Sequence, residues 1–295
     1  MANPVYIMLN FYILLSFFLF IPKNFLANSD IINMRINLAI SCRDCEYIPK
    51  VPNAGKIVSI DNTLFQVMHN GIYVLYGAYH GQWMSKIIQA LRGHHEPQEE
   101  KVFYEVLKTM PNSATMIELG SSWSYYSMWF HKFVLNAKNY MIEPNFEKLD
   151  IGKKHFYFNN MQGSFFNAFL GKSSDKNAIF VDWDNKQYQI PRICIDDFVE
   201  ENDIEFIHIL HSDIQGAEYD MLLGSKQTIL NNKIGYVFIS THGDCHDKCL
   251  NFLTKTNFHI IAEHSCQESY SVDGLIVARH KNYQGLNFVE ISKKK

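Results

Sequence analysis

From residue 114 onward, short apolar runs alternate with segments of helical periodicity. Alternation at this spacing predicts parallel strands joined by crossover helices that cover both faces of a sheet. The last two apolar runs are joined by a loop without a helical pattern, so the final strand is expected to run antiparallel at or near the sheet edge. The fold class is therefore α/β, with a doubly wound, mainly parallel sheet. The expected strands are 114–119, 139–143, 155–160, 178–182, 206–212, 234–240, 258–263 and 273–279, and the expected helices are about 124–136, 145–153, 196–202, 216–231 and 246–256.

The stretch ATMIELGSSWSYYS at 114–127 predicts a buried strand, a turn opened by Gly120 and then an amphipathic helix. Glu118 lies where the strand becomes the turn. Backbone N–H groups and a helix N-terminus beside an acid suit a nucleotide-like ligand at the carboxyl end of a strand. The next strand ends in a second acid, Glu143, at a position from which a carboxylate can accept hydrogen bonds from a ribose diol. Together these features predict a protein that binds an adenosyl cofactor.

The turn lacks most of the glycines that a dinucleotide-binding fingerprint requires. Only Gly120 is present, and Ser121 and Ser122 follow it. A diphosphate needs the close backbone approach that several glycines permit, whereas a cofactor without phosphate does not. The lone glycine therefore favours S-adenosylmethionine over NAD, and a nucleotide-dependent oxidoreductase is the alternative enzyme.

Two later strands also end in polar residues. His211 and Asp213 stand at the exit of the strand 206–212, with Glu218 in the first turn of the next helix, and His242 follows the strand 234–240. Ligands of open α/β sheets bind outside the carboxyl ends of the strands, so these side chains predict a shared site. The structural alternative is that Asp213 and Glu218 stabilise a helix N-terminus and that His242 is a core histidine.

The chain before residue 96 is expected to form an extension. Residues 35–55 are irregular, and 56–76 contain three short apolar runs, the last two separated by Asn70–Gly71, which is a strong hairpin signal. A helical segment follows, and a second helix begins at Pro97, with acids in its first turn. The predicted organisation is a hydrophobic leader at 1–34, a β-hairpin and helix extension at 35–95, and the main domain at 96–295.

The N-terminal residues 5–21 are nearly all apolar and are just long enough to approach a bilayer span. No Lys or Arg precedes them, so the charged region of a secretory signal is missing. A signal anchor, an uncleaved signal and a translated leader before a start at Met34 are the alternatives. We expect a cytoplasmic protein in which residues 5–21 are a candidate membrane anchor.

The net charge and the cysteines limit which binding partners and which metal sites are expected. The net charge of −3 provides no basic surface for a nucleic-acid backbone, so no nucleic acid is expected. The six cysteines include two close pairs, Cys42 with Cys45 and Cys245 with Cys249. A zinc site built from both pairs is the alternative to free thiols in a reducing compartment. Free thiols are favoured because neither pair has the flanking glycines of a zinc knuckle.

Several motifs, in order, resemble the FkbM family of S-adenosylmethionine-dependent methyltransferases. The resemblance extends over roughly residues 80–280 and rests on HHEPQEE, ELGSSWSYYS, IEPN, LHSDIQGAE, ISTH and SYSVDGLIV. It implies the seven-stranded methyltransferase form of the Rossmann-like sheet, with a reversed last hairpin. It also implies S-adenosyl-L-methionine as cofactor and O-methylation of a hydroxyl of a sugar, a glycan or a small metabolite.

The resemblance also implies roles for individual residues. The family usually has Asn where this chain has Ser122 and Gly where it has Ser124, so the following helix is expected slightly further from the cofactor. The implied cofactor residues are Glu96 above the site, Glu118, Gly120, Ser121 and Ser122 beside the methionine part, Glu143 at the ribose, Asn145 near the adenine, and Asp213, and the residues implied to face the acceptor are Asp213, Glu218 and His242.

Methyl transfer requires an acceptor oxygen held in line with the methyl group and a base for its proton. His242 is the first candidate for the base because of its ordinary pKa, and Asp213 is the second, acting directly or by orienting His242. A divalent metal on Asp213, Glu218 and His242 is a weaker alternative, because hard cations usually recruit more carboxylates. A non-catalytic scaffold that keeps the fold is the alternative from another functional class.

Overall fold

The structure is a computed structural model that describes residues 28–182 and 185–295. Within these residues, no helix has the length and apolar character needed to cross a membrane. The apolar run at 5–21 lies outside the described residues, and its role as an anchor stays a prediction. The division of the chain at residues 34 and 95 likewise stays a prediction.

A seven-stranded sheet forms the centre of the fold, as predicted. Counted across the sheet, the order in which the chain adds strands reverses between the fourth and the fifth strand. Every strand except β14 (Gly274–His280) runs in one direction. The antiparallel β14 sits next to the edge strand β13, which confirms the expected reversal of the last strand. In spatial order the strands are β13 (Phe258–His264), β14 (Gly274–His280), β12 (Ile234–Thr241), β11 (Ile207–Ser212), β4 (Thr115–Leu119), β5 (Lys138–Ile142) and β6 (Ser164–Phe166).

A three-stranded antiparallel sheet precedes this domain. It consists of β1 (Ile57–Ile60), β2 (Thr63–Val67) and β3 (Tyr73–Leu75). The predicted Asn70–Gly71 turn joins β2 to β3, and Gly71 adopts a positive φ of 80°. Two small sheets lie outside the central one, formed by β7 (Phe169–Leu170) with β10 (Arg192–Ile193) and by β8 (Ile179–Val181) with β9 (Gln187–Gln189).

Helices cover both faces of the central sheet. Along β4 the side chains alternate between two buried clusters, with Met116 in one and Ile117 in the other. The described helices are α1 (Asn28–Ser41), α2 (Gln82–Ala90), α3 (Pro97–Leu107), α4 (Tyr125–Phe133), α5 (Phe146–Phe158), α6 (Ile195–Glu201), α7 (Glu218–Leu223), α8 (Lys226–Leu230) and α9 (Cys245–Lys255), and a short 3₁₀ turn spans Cys266–Glu268.

Two expected elements were wrong, and a third, the strand at 178–182, is present but lies outside the central sheet. Residues 155–160 do not form a strand, because α5 continues through Phe158 with His155 and Phe156 on its buried face. The third parallel strand is β6, and residues 178–182 contribute to the β8–β9 hairpin outside the central sheet.

The expected helix at 216–231 is two helices, α7 and α8. The second begins after Ser225, where the carboxylate of Asp196 accepts the N–H groups of Gln227 and Thr228 at 3.0 and 2.8 Å. The carboxylate that caps the start of the second helix therefore belongs to α6, and Asp196 precedes Lys226, the first residue of that helix, by thirty positions in the chain. Local periodicity could not show this break.

Candidate cofactor and catalytic site

The turn after β4 lies directly against the chain that leaves β11. Gly120 has a φ of +70°, and a Cβ at this residue would lie 1.9 Å from the carbonyl oxygen of Asp213. No side chain fits there, so glycine is required both for the backbone conformation and for the close approach. These two strand ends meet where the strand order reverses, which is where open α/β sheets bind their ligands.

Glu143 connects the turn to the next helix. One carboxylate oxygen accepts the N–H of Ser122 at 2.9 Å, and the other accepts the N–H of Asn145 at 2.9 Å. Burial raises the pKa of this carboxyl group. Asn145 caps α5, because its side-chain oxygen accepts the N–H of Lys148 at 3.0 Å. Contacts of Glu143 with a ribose and of Asn145 with an adenine stay predictions.

The two serines that depart from the family pattern both occupy the left-handed region. Ser122 has a φ of 44° and Ser124 a φ of 60°. Asn and Gly, the residues usual in the family, tolerate this region better than serine does. The hydroxyl of Ser124 points at α5, where a Cβ on Gly152 would lie 2.4 Å from its Oγ. A glycine in the neighbouring helix therefore provides the room that Ser124 needs.

Glu118 is buried at the end of β4, and its carboxylate accepts the N–H of Ser127 at 3.0 Å. Burial raises its pKa to about 7, against the opposing effects of His211 and the hydrogen bonds from Ser127. His211 is the register partner of Glu118 on β11. Glu118 thus holds the first turn of α4, and its contact with the methionine part of a cofactor stays a prediction.

Glu96 precedes α3 and reaches the helix that follows the cofactor turn. Its carboxylate accepts the hydroxyl of Tyr126 at 3.1 Å and lies 3.3 Å from the ring Nε2 of His95. Its side chain is 22% exposed, so part of the carboxylate remains accessible. The structure thus places Glu96 beside α4, on the side expected to overhang the cofactor.

His242 is surrounded by three carboxylates. Its Nδ1 lies 2.8 Å from Glu218 Oε1, and its Nε2 lies 3.1 Å from Asp273 Oδ1 and 3.4 Å from Asp213 Oδ1. Burial alone would lower the pKa of His242, but the hydrogen bonds to Asp273 and Glu218 and the charges of Asp273 and Asp213 raise it to about 11. An imidazole with this pKa is protonated at neutral pH and is a poor proton acceptor.

Asp213, unlike His242, has a pKa close to neutral pH. Burial raises its pKa to about 7, while the charge of His242 lowers it and that of Asp273 raises it. Its side chain keeps about a third of its surface exposed (32%), so the carboxylate can reach a ligand. A base with a pKa near the working pH is well suited to accept a proton during the reaction.

Asp273 was missed by the sequence analysis as a member of this cluster. The residue stands inside the quoted motif SYSVDGLIV, but nothing local indicates its partner. The antiparallel pairing of Thr241 with Gly274 brings the start of β14 beside the end of β12. Asp273 therefore lies next to His242 because of the sheet register.

A pocket opens between the beginning of α3, the end of β12 and the beginning of β14. Glu99 lies in its wall, and its two carboxylate oxygens contact His211 Nε2 at 2.7 Å and the Ser240 hydroxyl at 3.0 Å. His211, which the sequence placed at the strand exit, is buried and points to Glu99. From the sequence, Glu99 is one of the acids in the first turn of the helix that begins at Pro97, and no local pattern marks Ser240. The lining residues are Glu96, Pro97, Gln98, Glu99, Ser240, His264, Ser271, Asp273, Gly274 and Leu275.

Several buried polar atoms at this rim have no hydrogen-bond partner among the described residues. They include the hydroxyls of Ser121 and Ser212 and one carboxylate oxygen, Oε2, of Glu218. Buried polar groups in folded proteins nearly always have partners, so an unsatisfied group requires an explanation. A bound polar ligand at the strand ends would supply the missing partners. The residues present therefore fit a cofactor of the predicted kind.

Two metal alternatives from the sequence are not supported. Among the described residues, one group of three His, Cys, Asp or Glu side chains has its ligand atoms close enough together to hold an ion, and it consists of Cys45, His94 and Glu100. That group contains neither the Cys245–Cys249 pair nor any residue of the His242 cluster. The six cysteines are all thiols.

A model of the methyltransferase FkbM domain family matches residues 77–260. Among solved structures, the FkbM methyltransferase from Methylobacillus flagellatus KT is 17% identical, with a TM-score of 0.45 over 58% of this chain and 44% of that protein. The chain thus spans less than half of the length of that relative. No curated protein matches the chain.

Two further solved structures are similar to the chain at low identity. TrmK from M. capricolum, in complex with S-adenosyl-homocysteine, is 16% identical, with a TM-score of 0.39 over 64% of this chain and 71% of that protein. A ribosomal protein L11 methylase from Lactobacillus delbrueckii subsp. bulgaricus is 12% identical, with a TM-score of 0.41 over 64% of this chain and 81% of that protein.

Proposed function

This chain belongs to the FkbM family of S-adenosylmethionine-dependent methyltransferases, and from that premise we propose that it methylates a hydroxyl of a sugar, a glycan or a small metabolite. The family model covers more than half of the chain, from residue 77 to residue 260. The enzyme is therefore a methyltransferase with S-adenosylmethionine as its donor. The acceptor class and the roles of individual residues are the proposal.

The observation that carries the proposal is the contact between Gly120 and Asp213. The carbonyl oxygen of Asp213 occupies the space that a Cβ at Gly120 would need. The turn assigned to the cofactor and the loop that carries the candidate base are thus in direct contact. Such proximity suits a reaction in which an acceptor oxygen must be held against the donor methyl group.

The donor, when bound, supplies an electrophilic methyl group on a sulfonium. Glu143 would hold the ribose hydroxyls beside the turn of Ser121 and Ser122, and Glu96 and Glu118 would face the methionine part. The unsatisfied hydroxyl of Ser121 supports this placement, because it lies in the turn itself. Asn145, at the start of α5, would lie near the adenine.

We assign the proton transfer to Asp213. The Asp213 carboxylate would accept the hydroxyl proton of the acceptor, whose oxygen would take the methyl group that the donor supplies. His242, protonated between Asp213, Glu218 and Asp273, would orient these acids and balance their charge. General-base assistance of this kind contributes about 10²–10⁴-fold in rate.

The polar groups that line the pocket beside this cluster favour an acceptor with several hydroxyl groups. Its wall contains the carboxylates of Glu96, Glu99 and Asp273 and the hydroxyls of Ser240 and Ser271. These groups accept hydrogen bonds from alcohols, and both oxygens of Glu99 are already held in place by His211 and Ser240. A fixed acceptor array selects a molecule that offers several O–H donors.

The test is a transfer assay with the full chain and a donor that carries a tritiated methyl group. The acceptors are free sugars and polyols, with fully O-methylated sugars and simple amines as matched controls. We expect label on the free hydroxyl compounds alone. Label on the amines, or no transfer to any hydroxyl compound while S-adenosylhomocysteine still raises the melting temperature, would contradict the proposed acceptor class.

A further inference from the structure

A second polar cluster lies away from the strand ends, beneath the beginning of α3. Its members are Cys45, His94 and Glu100, whose side-chain ligand atoms all lie within 4.8 Å of one another. All three residues are buried, with 4%, 0% and 0% of their surface exposed. The proposed methyl transfer uses none of them, so the cluster requires its own explanation.

The carboxylate of Glu100 is held in a fixed orientation. Its Oε1 accepts the backbone N–H groups of His95 at 2.7 Å and Glu96 at 3.1 Å, and its Oε2 contacts the Nδ1 of His94. Backbone donors that fix one oxygen leave the other directed into the cluster. This is how surrounding hydrogen bonds orient ligands in metal sites.

His94 provides a second observation. Its Nε2 is buried and has no hydrogen-bond partner among the described residues. Buried polar nitrogens in folded proteins nearly always have a partner, and a bound ion would provide one here. The ring stacks on His69 at a centroid distance of 4.1 Å, and this contact restrains the plane of the ring.

The third side chain determines which ion fits. Cys45 offers a sulfur, and its Sγ has only a weak contact with the carbonyl oxygen of Pro97 at 3.2 Å. Cys42 stands three residues earlier and is also buried, in the CxxC spacing that zinc sites use. Sulfur, imidazole nitrogen and carboxylate oxygen together favour zinc over magnesium or calcium, which take oxygen ligands.

We propose that Cys45, His94 and Glu100 bind one zinc ion in a buried structural site. Zinc ligands stand about 2.0–2.3 Å from the metal, so ligand atoms that all lie within 4.8 Å of one another can share one ion after small side-chain movements. The ion would tie the segment before β1 to the first turn of α3. Because Glu96 lies between His94 and Glu100 in the chain, the ion would also fix the helix end that borders the cofactor turn.

The test begins with the metal content of the purified full chain, measured by mass spectrometry. We expect about one zinc per chain in the wild type and less than about a tenth of that in Cys45→Ala. Cys249→Ala is the matched control, because Cys249 is a fully buried thiol on α9 outside the cluster, and it should keep the zinc. Equal zinc in Cys45→Ala and the wild type would overturn the assignment.

A measurement on the unmodified protein avoids any dependence on variant folding. The wild-type chain, depleted of metal with a chelator, is titrated with cobalt(II) and followed by its absorption spectrum. Ligation by Cys45 predicts thiolate-to-cobalt charge-transfer absorption that zinc then abolishes. Folded wild-type protein that contains no zinc and develops no such absorption would refute the site. Neither measurement depends on methyl transfer, so the proposed function is tested separately.

Discussion

The hydroxyl of Ser124 lies over the Cα of Gly152, so that a Cβ on that glycine would be 2.4 Å from the Ser124 oxygen. Ser124 adopts a φ of 60°, and its hydroxyl has no hydrogen-bond partner among the described residues. A left-handed serine costs about 1–3 kcal/mol relative to an unstrained residue, and glycine avoids that cost. The turn that receives the cofactor is therefore strained at a residue that glycine would relieve.

We predict that Ser124→Gly raises the free energy of unfolding by about 1 kcal/mol, because it removes the strained φ and the unsatisfied hydroxyl. Gly152→Ala should lower it by about 1–3 kcal/mol, because the new methyl group overlaps the serine oxygen. Urea unfolding of both variants measures these changes. The double variant should recover most of the loss, since the overlap disappears with the hydroxyl.

Lys153→Ala is the matched control for the helix substitution, because Lys153 is exposed next to Gly152 on α5. It should change the stability by less than about 0.5 kcal/mol. If Gly152→Ala were equally destabilising with and without the serine, the two residues would not be coupled and the explanation for this departure from the family pattern would be wrong.

The sequence predicted the fold wherever hydrophobic alternation reflects burial. The strands at 114–119, 206–212 and 234–240 were found within about a residue because both faces of each are covered by helices. Residues 155–160 were misread because an apolar run of this length suits a strand or a helix end equally. Three-residue β6, with its exposed and half-buried side chains, has too weak a pattern to be recognised.

The candidate site was predictable only where each strand end carried its own signal. Asp213 and His242 follow strands directly, so their meeting could be inferred from topology. Asp273 joins them through the register of an antiparallel pair, and Glu99 reaches the pocket from a helix packed across the sheet. These contacts depend on the packing of distant segments, which periodicity does not reveal.

Glu118 should make stability fall as pH rises. Its ordinary pKa is 4.5, and burial raises it to about 7 in the folded protein, so the folded state binds the proton more tightly than the unfolded state. The contribution of Glu118 to the free energy of unfolding is greatest below about pH 4.5. It declines as the pH rises to about 7, by about 3 kcal/mol in total. Glu118→Gln, which keeps an acceptor for Ser127, should flatten this part of the curve. Urea unfolding at pH 5 and pH 8 compares the two proteins, and equal pH dependence would exclude the raised pKa.

Asp213 should control the acidic limb of the activity profile. Only its carboxylate form accepts a proton, so kcat/KM is expected to rise with pH through about 7. Asp213→Asn should lose about 10²–10⁴-fold in kcat and also lose this limb. The measurement is initial rate against pH with a hydroxyl acceptor from the transfer assay. A limb that persists unchanged in Asp213→Asn would assign the proton to another group.

His242 should act on Asp213 through its charge. Its imidazolium lowers the pKa of Asp213, so His242→Gln removes this effect and should move the acidic limb to higher pH. The cofactor affinity should change little, because His242 contacts the acids of the acceptor side. If His242 were itself the base, the substitution would instead lower the rate by about 10²–10⁴-fold and abolish the acidic limb rather than move it.

Glu143 should determine cofactor affinity. Its carboxylate joins the N–H of Ser122 to that of Asn145, and in the proposed complex it also receives the ribose hydroxyls. Charged hydrogen bonds contribute about 1.5–3 kcal/mol each. Loss of one such bond in Glu143→Ala should weaken binding of S-adenosylhomocysteine at least about tenfold, and loss of the bonds to both ribose hydroxyls should abolish it. Calorimetric titration measures the affinity. Glu147→Ala, an exposed acid on the next helix, is the control and should bind as the wild type does. Unchanged affinity in a folded Glu143→Ala protein would remove Glu143 from the cofactor site.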